Sequence, residues 1–91
     1  MLDKLATKKT IELFRYFGYK DDNKTLTSLQ NWLRVEKSIT VWVVPYYIKK
    51  WKYSFHISKS GDLTWSIYDE KTWDTALENG LLSAIKKIET F

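Results

Sequence analysis

Between Ser38 and Tyr68 apolar and polar residues alternate in three runs, Ser38–Pro45, Lys50–Ser58 and Asp62–Tyr68, separated by a Pro/Lys segment and by Ser58-Lys59-Ser60-Gly61. The odd positions carry Ile39, Val41 and Val43, then Trp51, Tyr53, Phe55 and Ile57, then Leu63, Trp65 and Ile67. Successive strand residues point to opposite faces, so the pattern predicts a three-stranded antiparallel meander with these side chains on its buried face. The even positions of the middle run are Lys50, Lys52, Ser54, His56 and Ser58. That face cannot lie under an apolar helix without burying charge, and it is expected to be wet. Counting outward from a turn at Ser60-Gly61-Asp62 pairs Ile57 with Leu63, Phe55 with Trp65 and Tyr53 with Ile67. The first hairpin then pairs Val41 with Phe55, which sets Val44, Lys52 and Tyr68 in one row and Trp42, Ser54 and Ser66 in the next.

The flanking segments change period. Ile11, Phe14 and Phe17 recur at helical spacing, Thr7 stands where an N-cap belongs, and Gly18 is placed to end the helix at C′. The loop from Gly18 to Lys24 reads as polar and surface-exposed. A second helix is expected from Leu26 or Ser28 to Lys37, with Thr27 and Gln30 at capping-box spacing and Leu26, Leu29, Trp32 and Leu33 as its apolar stripe. A third opens after Thr72 and carries Trp73, Ala76, Leu77, Gly80, Leu81, Ala84 and Ile88 on one side. Glycine inside a helix costs about 1 kcal/mol relative to alanine, so Gly80 predicts a close backbone approach to the sheet or to another helix. The expected fold is α+β in the order α-α-β-β-β-α, one domain over residues 1–91, with helices covering one face of the meander.

Composition narrows the chemistry. The chain of 91 residues has no cysteine, which removes disulfides, thiolate metal sites and a cysteine nucleophile. No run approaches membrane-spanning length and the first residues lack an apolar signal core, so the expectation is a cytoplasmic protein with no membrane partner. The formal net charge is +4, and the middle segment contributes Lys49, Lys50, Lys52 and Lys59 against Asp62. Such a field is compatible with nucleic acid and equally with a solvated lysine-rich surface. His56, the single histidine, has only Thr40 and Thr64 beside it in this register, and neither would make it a base or a ligand. Asp21-Asp22 and Asp69-Glu70 fit turn and cap roles. No glycine-rich phosphate loop occurs, and the reading is of a non-enzyme with no cofactor and no metal.

Trp32-Leu33-Arg34, then Val43-Val44-Pro45, then Tyr68 followed by Thr72-Trp73-Asp74-Thr75-Ala76-Leu77-Glu78-Asn79-Gly80-Leu81 form a pattern that resembles small uncharacterised proteins of prophages and mobile elements of gut bacteria. The resemblance spans residues 7–90 and implies a setting, with no catalytic residue to carry over. Trp73 and Asp74-Thr75 depart from the tyrosine and two glutamates of the usual form. The order helix, three strands, helix is also that of the double-stranded RNA-binding fold, whose lysine cluster opens its last helix. Here that stretch is Asp69-Glu70-Lys71-Thr72-Trp73-Asp74, which is net acidic.

The expected function is therefore that of a small accessory module contacting a protein partner or a second copy of itself, the alternative being a weak nucleic-acid-binding module. The residues that carry either reading are Trp42, Lys52 and Tyr68 on the even face, with Tyr46, Tyr47, Lys49 and Lys50 from the adjoining segment, read as a loop. Aromatic rings beside cations on an open sheet can stack bases and hold phosphates, or anchor a protein.

Overall fold

The computed structural model describes residues 4–59 and 62–88; for Ile48 and residues 62–69 it describes the backbone. The fold is α+β. Helices α1 (Lys8–Tyr16) and α2 (Leu26–Lys37) precede strands β1 (Ile39–Ile48), β2 (Lys50–Lys59) and β3 (Asp62–Glu70), and helix α3 (Trp73–Lys86) follows. The strands form one antiparallel sheet in the order β1-β2-β3.

Local chemistry sets the helix ends. The Thr7 hydroxyl accepts from the Thr10 amide at the start of α1, and that of Thr72 from the Thr75 amide at the start of α3. Gly18, at φ +111°, ends α1 in a Schellman arrangement: its N–H donates to the Arg15 carbonyl, and the Tyr19 N–H donates to that of Phe14. At α2 the cap is Thr25 and not Thr27, since the Thr25 hydroxyl accepts from the Ser28 amide. Gln30, released from a capping role, donates to the Val41 carbonyl at 2.6 Å and ties α2 to β1.

The core lies between the helices and one face of β1 and β2. Ile39, Val41, Phe55 and Ile57 are buried there against Leu29, Leu33, Leu77, Leu81, Ala84 and Ile85. Gly80 is the closest approach: a Cβ there would stand 2.8 Å from Val41 Cγ1. Helix α1 docks at the side through Ile11 and Phe14, whose ring meets Trp32 at 5.8 Å and Tyr19 at 6.4 Å. The loop after α1 is thus not wholly exposed. Tyr19 is buried, because the Schellman turn folds it back on Phe14, and its hydroxyl donates to the Asn23 carbonyl and meets Ser28 Oγ.

The register departs from expectation at both hairpins. Val41 pairs with Ile57 and Val43 with Phe55, a two-residue offset that keeps the faces but extends β1 through Pro45 to Ile48. Proline is tolerated because β1 is an edge strand. At the second hairpin Lys59 pairs with Asp62. The expected pairs Ile57–Leu63, Phe55–Trp65 and Tyr53–Ile67 give way to Ile57–Thr64, Phe55–Ser66 and Tyr53–Glu70. Residues 67–69 are set against Ser54 alone, a bulge. The expected turn residues Ser60 and Gly61, and the expected burial of Leu63, Trp65 and Ile67, lie outside the described residues.

Candidate binding surface at the distal hairpin

A ten-residue strand runs roughly 33 Å and a fourteen-residue helix roughly 21 Å, so β1 and β2 outrun α3. The odd face is covered at Val41 and Phe55, but by Tyr47 and Trp51 the helices have ended. These two residues pair across the hairpin, with ring centroids 5.5 Å apart and planes at 63°, and are 63% and 59% exposed. Trp51, expected in the core, is thus at the surface. Its periodicity was that of a buried strand, and periodicity does not report where the covering helix stops.

Lys49 makes the reversal on its own, at φ +64° between the paired Ile48 and Lys50. A lysine there carries the left-handed strain that glycine would avoid, about 1 kcal/mol or somewhat more. Tyr46 lies opposite Lys52, and both belong to strands, so Tyr46 and Tyr47 are not loop residues. Lys49 and Lys50 are exposed and Lys52 is half-buried. Lys50, Trp51 and Lys52 line an open cleft of about 580 Å³ with Glu70 and Lys71, at the start of the β3–α3 connection. Glu70 accepts from Asn79 Nδ2 at 2.7 Å, which holds this carboxylate toward α3. Lys50 and Lys52 stand on the face of β2 opposite Tyr47 and Trp51, and it is along the cleft that Trp51 meets Lys50, Lys52 and Lys71.

The remaining expected site residues sit elsewhere. Trp42 is opposite His56 rather than Ser54, and the two rings stack at 5.3 Å with 20° between planes. That contact half-buries Trp42 and gives it a packing role the sequence did not disclose. Four strand steps, roughly 13 Å, separate it from Tyr46. Val44 lies opposite Ser54, whose buried hydroxyl donates to the Val44 carbonyl, so the expected row Val44–Lys52–Tyr68 does not form. Tyr68 falls in the bulge, and its side chain lies outside the described residues. The structure thus gathers Tyr46, Tyr47, Lys49, Lys50 and Lys52 and adds Trp51 and Lys71. The missed signal was the pair of lysines flanking Trp51, unusual for a strand buried along its whole length.

Among the described residues no group of three or more His, Asp or Glu side chains is placed to hold a metal ion, and no helix is long and apolar enough to cross a membrane. The chain matches no family model, no curated protein sequence and no solved structure.

Proposed function

We propose that this protein is a small non-catalytic interaction module, of the accessory kind that its likeness to prophage proteins suggests, and that it holds an anionic partner with its distal hairpin. The observation that carries the reading is the exposed Tyr47–Trp51 pair, with Trp51 lining one cleft together with Lys50, Lys52 and Lys71, and Lys49 at the reversal. Large rings left in water forgo the roughly 25 cal/mol per Å² that burial would yield, and these two are more than half exposed. Rings grouped with cations suit a contact surface with a fixed aromatic anchor and a charged rim. His56 supports the same reading, since its ring face is committed to Trp42. Duplex RNA held as in the double-stranded RNA-binding fold is not favoured. The turn opening α3 carries Asp74, whose carboxylate lies 4.0 Å from Lys4 Nζ.

Retention on immobilised heparin tests the surface. Lys49→Glu/Lys50→Glu should elute at markedly lower salt than the parent protein, whereas Lys8→Glu/Lys9→Glu, with the same charge change on exposed positions of α1, should elute much closer to it. An equal shift for both variants would mean that net charge, and not the hairpin, sets retention. The proposal would then fail.

A further inference from the structure

Resting on the hairpin reading, we infer that the anionic partner is single-stranded nucleic acid, with Trp51 and Tyr47 as base-stacking rings and Lys49, Lys50, Lys52 and Lys71 as phosphate contacts. The choice among anions follows from the rings. An aromatic face carries the negative part of its quadrupole and repels a carboxylate, whereas a base stacks on it in an offset arrangement, through dispersion and the loss of water from both faces. The carboxylates of an acidic peptide could satisfy the lysines but would make no use of the rings. Bases use both, and stacking is tolerant of sequence because every base has a π-face.

Geometry favours a single strand over a duplex. The cleft beside Trp51 has a volume of about 580 Å³, enough for a few unstacked bases, and the body of a duplex is far too wide to enter it. Base faces in a duplex are already stacked on one another, so Tyr47 and Trp51 could reach them only by unstacking a step. Lys50 and Lys52 project from the side of β2 opposite Trp51, roughly 7 Å apart along the strand, a step comparable with that between successive phosphates of an extended chain, and all three line the cleft, so a strand lying in it reaches ring and lysines together. Lys71 lines the same cleft, and Lys49 is at the tip itself. Among the described residues lining the cleft the acidic one is Glu70, which is bonded to Asn79.

The test is fluorescence anisotropy of a labelled oligothymidine about twelve nucleotides long, titrated between about 50 mM and about 200 mM salt. Binding should weaken as salt rises, with a log–log slope of about −2 to −3 for three or four phosphate contacts. Trp51→Ala should weaken it about 5- to 100-fold, and Trp51→Phe should restore most of the loss. Lys49→Glu/Lys50→Glu should flatten the slope. A blunt duplex of equal length should bind more weakly. Equal or tighter duplex binding, or an unchanged affinity in Trp51→Ala, would overturn the inference. So would an absence of oligonucleotide binding by a protein that heparin still retains through the hairpin, a result pointing to an acidic protein surface and leaving the interaction module intact. Loss of the hairpin-dependent heparin retention would remove both.

Discussion

Gly80 touches Phe55: a Cβ built on Gly80 would stand 3.0 Å from both Cβ and Cγ of Phe55, and the same atom would meet Val41 Cγ1 at 2.8 Å. Helix α3 rests on β1 and β2 at this point, and the contact fixes how far along the hairpin the helix can protect it. Distal to Val43 and Tyr53, the residues Val44, Tyr47 and Trp51 are left to solvent or to a partner.

Gly80→Ala sets two effects against each other. Alanine favours the helix by about 1 kcal/mol, whereas overpacking a filled core costs about 1 to 3 kcal/mol. At separations this short the clash dominates, because the atoms met are a ring carbon, a Cβ and a branched methyl with little freedom to retreat. Urea denaturation should show a net loss of stability. A more stable Gly80→Ala protein would contradict the contact.

Phe55 and Trp51 lie on the same face of one strand with opposite energetics. Phe55 is fully buried and Trp51 is 59% exposed. Phe55→Ala should cost about 3 to 5 kcal/mol and Trp51→Ala about 1 kcal/mol or less, mostly from the lost cross-strand contact with Tyr47. Thermal melts of the two variants compare them directly, and equal losses would place Trp51 in the core after all.

Lys49 offers a separation of folding from binding. Glycine accepts φ +64° without strain, and it also loses more entropy on folding, so Lys49→Gly should leave stability within about 1 kcal/mol of the parent. The same substitution removes a tip charge and should lower the salt needed to elute the protein from heparin. A cooperative melt near that of the parent, together with unchanged elution, would show that the tip charge takes no part in anion binding.

The helices were legible because their signals are local. Thr7, Gly18 and Thr72 act where their chemistry places them, and Gly80 disclosed a close approach whose partners the sequence could not name. Strand faces on β1 and β2 were legible where Ile39, Val41, Phe55 and Ile57 alternate with polar residues. Register was not: β1 and β2 are offset by two residues, which alternation permits, and β2 and β3 by one from the hairpin connection onward, before the bulge at Ser54 is reached. Pro45 read as the end of a strand because the sequence does not reveal that β1 is an edge, and the tight reversal was hidden because its left-handed residue is lysine. Tyr19 escaped for a related reason: its burial comes from the turn that Gly18 makes, inside a stretch whose composition is polar. Trp51 and Trp42 exchanged roles once the true pairing put one at the tip and the other on His56.

The central claim, that the distal hairpin is the contact surface, is tested most directly by two-dimensional amide and indole NMR of the ¹⁵N-labelled protein during titration with short oligothymidine. The account predicts that the indole signal of Trp51 and the backbone amides from Tyr46 to Lys52 and at Lys71 move together, whereas the indoles of Trp32, held between Phe14 and Tyr19, and of Trp73 on α3 stay in place. Shifts centred on α1 or α2, with Trp51 unmoved, would contradict it.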